Sequence, residues 1–373
     1  MKFTIDSKII NEVYGKISKL LNAKSPVPIL SGTLVQANEN CILFTASDGT
    51  EGVIHRVPVK DNEVTVEEEG STVLPKEAFE VSRKLKGNNV KFHLVDQTIK
   101  IQTGDKTNLE FSVMDANEFP AVNKIKNTNN PIKLKPDEFR TIIKKVAFAV
   151  SDSEIRPILQ GVNFNISENQ AAFYATDSHR LSRYIAHIEG PDINVTIPAK
   201  FLESITKSLD ENHDVMVFID TQDIFIVNGN TIYCSRLLQG NYPDVSRLIP
   251  SPNFHLIVNK QEFIDVLELL LIISKTKQNG NVKLSIDGLF VNLQAIGEVA
   301  KGNKEIAFEL YDGDESFEIA FNAKFMIDAL KAINNDSVKL GFSGDMKPIV
   351  VVPNDEDQAK KEVQLILPIR TIS

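Results

Sequence analysis

Tryptophan is absent from the 373-residue chain, and cysteine occurs only twice. Cys41 and Cys234 lie far apart in strand-like runs, with no spacing that suggests a metal site or a disulfide framework. Both are expected to be buried, reduced thiols. No stretch approaches the roughly 18 apolar residues of a membrane-spanning helix. The opening MKFTIDSK lacks the apolar core of a secretory leader, so a cytoplasmic location and no membrane partner are expected. GxxxxGK[ST], HExxH and CxxC are all missing, so no cofactor and no metal are expected. Asp177, Ser178 and His179 offer a carboxylate, a hydroxyl and an imidazole. They are neighbours in sequence, however, whereas a working triad converges from separated elements. No catalytic residue is assigned, and a hydrolase is kept only as an alternative. Surplus positive charge is lacking too: the net charge of −9 gives no global nucleic-acid signature.

What the chain does have is repetition, which has to be settled before any other reading. Pro28-Ile29-Leu30-Ser31-Gly32 returns as Pro157-Ile158-Leu159-Gln160-Gly161, and Ala46-Ser47-Asp48 returns as Ala175-Thr176-Asp177, both offset by 129 residues. Lys135-Pro136-Asp137-Glu138-Phe139 returns, worn, as Asn259-Lys260-Gln261-Glu262-Phe263, offset by 124. Three repeats fill the length, with domains expected at 1–124, 130–250 and 254–373. Each begins with an amphipathic helix and carries a second one. The six are expected at 7–22, 75–85, 136–150, 198–209, 260–275 and 323–333, with Ser7 as the cap of the first. Alternating apolar runs joined by short turns fill the rest. The fold class is therefore α+β: three tandem repeats, each with two helices on antiparallel sheets.

Charge is distributed unevenly over this plan. Counted with their flanks, over 7–24, 75–87, 136–151, 198–209, 260–277 and 323–333, the six helical windows hold 18 Lys or Arg against 10 Asp or Glu, a net +8, which leaves −17 for the remainder. Lys and Arg are good helix formers, but so is Glu, which is not enriched in the same windows. Helices that meet a polyanion and sheets that face away account for the bias. A duplex nucleic acid held by its phosphates fits better than a single strand, which would want exposed aromatic platforms. Lys16, Lys24, Arg83, Lys84, Lys144, Lys207 and Lys331 are expected to face it.

Arg156-Pro157-Ile158-Leu159-Gln160-Gly161-Val162, Ala175-Thr176-Asp177-Ser178-His179-Arg180-Leu181, Asn241-Tyr242-Pro243-Asp244-Val245 and the ending Leu367-Pro368-Ile369-Arg370 together resemble the bacterial DNA polymerase III β subunit, the sliding-clamp family. The likeness runs through the whole chain in order. It implies a head-to-tail homodimeric ring around duplex DNA, which tethers the replicative polymerase without catalysing anything. It also implies a pocket between the second and third repeats, where polymerase, clamp loader and repair proteins dock a short linear motif. Residue by residue, the apolar part of that pocket is similar to Leu159, Thr176, His179, Leu181, Pro243, Leu248, Leu367 and Ile369. The polar rim is similar to Arg180, Arg247 and Arg370. A second part is similar to Arg156, Ser178, Asn322, Phe325 and Pro368, where some members carry Gly for Ser178 or Tyr for Phe325. The ring contact is expected to use sheet edges together with Leu109, Phe111, Ile272 and Ile273. An open tandem-repeat binder that touches DNA on one side is the runner-up. Its DNA affinity would fall steeply with salt, whereas a closed ring on circular DNA is held by topology.

Overall fold

A computed structural model of the chain describes all residues except 22–24, 86–88, 105–106, 123–124, 127–129, 275–279, 288–289, 314–315 and 370–373. Lys24 and Arg370 therefore lie outside the described residues. Seven α-helices are present among those described: α1 (Ser7–Ile17), α2 (Lys76–Ser82), α3 (Pro136–Val146), α4 (Ala199–Thr206), α5 (Lys260–Ser274), α6 (Ala323–Ala332) and α7 (Glu356–Lys361). The first six fall where the periodicity puts them, each a little shorter than expected at one or both ends. The cap of α1 is Asp6 and not Ser7: its carboxylate accepts from the Lys8 amide at 2.7 Å. A carboxylate both satisfies an orphan amide and suits the positive helix end. The α7 helix has no counterpart among the six expected. It is a short polar turn capped by Asp355, which accepts from the Gln358 amide at 2.8 Å. No described helix is long and apolar enough to cross a membrane.

The chain divides into two compact units, Met1–Pro136 with Ser204–Leu237 and Asp137–Glu203 with Leu238–Ser373. All described strands pair antiparallel. Unit one holds a five-stranded sheet in the order Val64–Glu68, Lys2–Asp6, Asn89–Val95, Thr98–Thr103, Asn108–Ser112. Its second sheet has eight strands and joins the first repeat to the second, because Thr231–Arg236 pairs with Glu51–Pro58. Helix α1 buries Ile10, Val13 and Ile17, a spacing of three and four that puts them on one face.

Unit two repeats this logic. Its nine-stranded sheet runs Ile193–Pro198, Gly161–Ser167, Gln170–Thr176, Arg180–His187, Glu362–Ile366, Ile349–Pro353, Ser337–Phe342, Phe254–Asn259, Leu310–Tyr311. A four-stranded sheet runs Lys301–Ala307, Phe290–Ile296, Asn281–Asp287, Ser316–Asn322. Helices α5 and α6 fill the space against them. Phe263, Leu267, Leu270, Met326 and Leu330 share one core with Leu284, Leu293, Leu340 and Val351. The sheets thus cross the repeat boundaries that the sequence suggests.

One buried titratable group marks the junction in unit one. His55 is 5% exposed, and its Nδ1 lies 2.8 Å from Thr231 Oγ1. Burial, with the Lys16 ammonium adding to it, pushes the imidazole down to about 4 from 6.5. The fold therefore holds it neutral. Its contribution to stability is present above pH 6.5 and lost as pH falls toward 4. Glu51 works in the opposite sense. Burial and Asp48 push its carboxyl up from 4.5 to about 7, so its contribution is lost as pH rises through 7. The stability difference between the parent and His55→Gln isolates the first effect. It should grow by roughly 3 kcal/mol from pH 4 to pH 7, because each tenfold change in proton affinity is worth about 1.4 kcal/mol. Urea titrations that give a pH-independent difference would rule out a neutral buried imidazole.

Candidate functional site

The site is built on one tight turn in unit two. Thr176 Oγ1 donates to the Arg180 carbonyl at 2.6 Å and accepts from the Ser178 amide at 3.1 Å. Asp177 Oδ1 accepts from the His179 and Arg180 amides at 2.8 and 2.9 Å. These bonds hold Ser178 at φ +77°, a left-handed conformation that costs a non-glycine residue some strain. A glycine at this position would relieve it.

The strand after the turn, Arg180–His187, pairs with Glu362–Ile366, with Leu181 opposite Leu365. The chain end then runs on past the turn. The Leu367 amide donates to the His179 carbonyl at 2.9 Å, and the Ile369 amide donates to the Ala320 carbonyl at 2.7 Å. Leu367 is left 38% exposed, whereas Leu159, Thr176 and Leu181 are buried. Beneath the strand pair, Lys145 Nζ meets Glu362 Oε2 at 2.6 Å, both nearly fully buried. Burial pushes the lysine down and the glutamate up, and their mutual contact opposes both shifts.

The N-terminus of α6 makes the wall. Asn322 caps it, accepting from the Phe325 amide at 3.2 Å. The His179 ring stacks against Phe325, with centroids 6.5 Å apart. The resemblance puts Arg180 at the rim, but its side chain is only 10% exposed. Its guanidinium lies over Phe325 at 4.5 Å and over Phe148 at 5.5 Å. It is bonded to Asp177 at 2.9 Å and to Asp328 at 2.7 Å. Arg180 is therefore part of the wall. Arg156 and Arg247 are exposed, and Arg247 pairs loosely with Asp244 at 3.1 Å. Leu248 is 57% exposed, and Pro243 is half-buried.

Sequence reasoning misses Met346, Phe148 and Asp328. Met346, 50% exposed, joins Ile369, Lys283, Glu318 and Ala320 around a cavity of about 390 Å³. It stands in a polar turn with no periodicity to flag it. The triad-like trio does not act together. The Asp177 carboxylate is committed to two amides and a guanidinium, and no hydrogen bond links the Ser178 hydroxyl to the His179 ring.

The basic residues fall into two groups. Lys84, Lys144 and Lys207 are exposed and make no ion pair among the described residues. Arg83 lies 4.1 Å over the Tyr14 ring and donates to Asn11 at 3.1 Å. Lys16 is turned inward: its ammonium donates to the Ser208 carbonyl, and burial lowers its pKa. Lys331 is paired with Glu268 at 2.7 Å. Of the expected ring-contact residues, Leu109 and Phe111 are half-buried on the last strand of the five-stranded sheet, and Ile272 is 78% exposed. Ile273 packs on the core, and a Cβ at Gly302 would come within 2.6 Å of it.

Comparison with known proteins accounts for the whole chain. The family described as DNA polymerase III beta subunit matches through its N-terminal domain at residues 1–123, its central domain at 133–244 and its C-terminal domain at 246–370. A "Beta sliding clamp" of Bacillus subtilis is 34% identical over 387 residues, covering all of both chains. One from Staphylococcus epidermidis is 34% identical over 380 residues, also covering all of both. The crystal structure of the DNA polymerase sliding clamp from Bacillus subtilis superposes with a TM-score of 0.93 at 33% identity, covering 100% of this chain and 99% of that one. The DNA polymerase III beta chain of Streptococcus pneumoniae gives 0.94 at 29% identity, covering 99% and 100%. Matched from end to end in sequence and fold, the chain belongs to the DNA polymerase III beta-subunit family, the DNA sliding clamps, which are processivity components and not catalysts.

Proposed function

We propose that two copies of this chain close head to tail into a cytoplasmic ring around duplex DNA, built from the repeats 1–124, 130–250 and 254–373. The pocket of unit two then tethers the replicative polymerase, clamp loader and repair proteins by a short linear motif. The observation that carries the docking function is the pairing of Arg180–His187 with Glu362–Ile366. It sets exposed Leu367 and half-buried Ile369 beside a turn stiffened by its own hydrogen bonds. Apolar anchors in a preformed concave site carry most of the energy of such interactions.

Ring closure is supported by the sheet edges. Asn108–Ser112 ends one sheet of unit one, and Lys301–Ala307 ends one sheet of unit two. Each presents unpaired backbone groups, which a second chain can satisfy. Such a contact is heterologous and closes only if the rotation allows it. Apolar Leu269 and Ile272 stand exposed on α5, whose Ile273 lies against Gly302 of that edge strand.

Three experiments test these readings. Leu367→Ala with Ile369→Ala should weaken a Gln- and Leu-rich peptide ending in an aromatic or Leu residue about thirtyfold. The variant should stay assembled but lose support of processive synthesis. Affinity within about threefold of the parent would move docking elsewhere. For assembly, Ile272→Asp with Phe111→Asp should sediment at the mass of one folded chain, and persistence of the dimer sinks the edge contact. Ile273 is the wrong probe, because its substitution also disturbs the core. For DNA, joint reversal of Lys84, Lys144 and Lys207 to Glu should weaken low-salt binding to linear duplex and flatten its salt dependence. Lys331→Glu should change little. A Lys331→Glu effect equal to one third of the triple reversal's would mean that only overall charge matters.

A further inference from the structure

We propose that Asp328 is a positioning residue of the pocket: from α6 it holds the Arg180 guanidinium over Phe325 and Phe148, and so fixes the His179–Phe325 wall against which a peptide docks. This rests on the docking reading of the pocket.

The repeat supplies an internal control. The first repeat carries the same turn, bond for bond. Ser47 Oγ donates to the Glu51 carbonyl at 2.8 Å and accepts from the Gly49 amide at 3.1 Å. Asp48 Oδ1 accepts from the Thr50 and Glu51 amides at 2.8 and 2.7 Å. Gly49 takes the left-handed place at φ +96°. At the position of Arg180 stands Glu51, and at that of His179 stands Thr50. The turn therefore folds without an arginine, so Arg180 is not there to make the turn.

What Arg180 does instead is leave its own loop. Asp177, mounted on the turn, bonds Nε at 2.9 Å and can only hold the side chain toward the turn itself. Asp328 bonds Nη1 at 2.7 Å from a different element. A planar guanidinium with one carboxylate on each side of its fork is fixed in plane as well as in place. Here that plane lies over two aromatic rings, a favourable cation–π arrangement. Phe325 is in turn the stacking partner of His179. Without Asp328, the turn keeps its bonds to Thr176 and Asp177, but the guanidinium is no longer tied to α6. The ring spacing then has to be set at the moment of binding, which raises its entropic cost.

The test uses the full-length assembled protein and the same Gln- and Leu-rich peptide. Asp328→Asn and Asp328→Ala should bind it about tenfold more weakly, chiefly through faster dissociation. Asp328→Glu should recover part of the loss. A readout specific to positioning is the ring-current shift of the His179 proton resonances. It should move in Asp328→Asn but not in Ala332→Gly, which weakens the far end of the same helix. Arg180→Gln, which leaves the turn bonds in place, should reproduce both the weakened binding and the altered resonances, and it serves if the Asp328 variants do not fold. Affinity within about threefold of the parent, with unshifted His179 resonances, overturns the proposal. The outcome is separable from failure of the docking reading. There the Leu367→Ala, Ile369→Ala variant would also bind normally, whereas here it alone would lose the peptide.

Discussion

Everything in unit two depends on one strand pairing between distant parts of the chain. Arg180–His187 and Glu362–Ile366 lie side by side, and every residue of the latter is buried. Val363 and Leu365 pack with Leu181 and Val245, while Ile366 belongs to the larger core beneath. In such a strand a slip of one residue exchanges the faces. Both faces are buried, Val363 and Leu365 on one and Glu362, Gln364 and Ile366 on the other, so a slip need not expose apolar surface to water. The buried pair of Lys145 and Glu362 does discriminate. In register, each charge has its partner at 2.6 Å. Out of register, a valine would stand before the ammonium and the carboxylate would be buried alone, each at a cost of several kcal/mol. Desolvation makes the pair a weak source of net stability, but it selects the one alignment that delivers Leu367 and Ile369 to the turn.

The electrostatics of DNA contact look different once the side chains are placed. The helices carry a surplus of positive charge in sequence, yet part of it is used internally. Lys145 neutralises Glu362, Lys331 neutralises Glu268, and Lys16 and Lys260 each donate to a backbone carbonyl at a helix end. Lys84, Lys144 and Lys207 remain exposed. Weak phosphate contacts suit a ring that stays on DNA because it surrounds it. Strong phosphate contacts would add affinity, but they would also resist sliding and make binding sensitive to salt.

Local patterns were readable from the chain, and distant ones were not. Helix faces such as Ile10, Val13 and Ile17 follow from spacing, and the start of the turn announces itself because Ala175-Thr176-Asp177 repeats Ala46-Ser47-Asp48. Pairing between repeats has no local signature. A short strand such as Glu362–Ile366, which mixes Glu and Gln with Val, Leu and Ile, does not reveal that both its faces are buried or which neighbour it joins. The roles of individual charges were hidden for the same reason. Lys144 and Lys145 are adjacent and identical in type, but one is exposed and the other is 4% exposed, because only Lys145 lies on the face that meets Glu362. Arg180 reads as a polar rim residue until Asp328, far along the chain, is placed beside it.

The duplicated turn also explains why the likeness between repeats does not give two equal pockets per chain. In unit two, Leu181 is buried, and the chain end beside it leaves Leu367 exposed. In unit one the same place is Gly52, opposite Cys234 in the adjoining strand. A Cβ at Gly52 would come within 2.8 Å of Cys234 Sγ and within 2.9 Å of a Val122 methyl. The room that would receive a ligand is thus already taken by the chain's own valine and thiol. Burial and nearby carboxylates raise the Cys234 thiol to about 12, as expected of a sulfur packed away from water. The turn itself is a self-contained hydrogen-bonded device that tolerates either arginine or glutamate at its exit. The proposed docking therefore depends on what the next element places beside the turn: a strand end carrying Leu367 and Ile369 in one unit, and Cys234 with Val122 in the other.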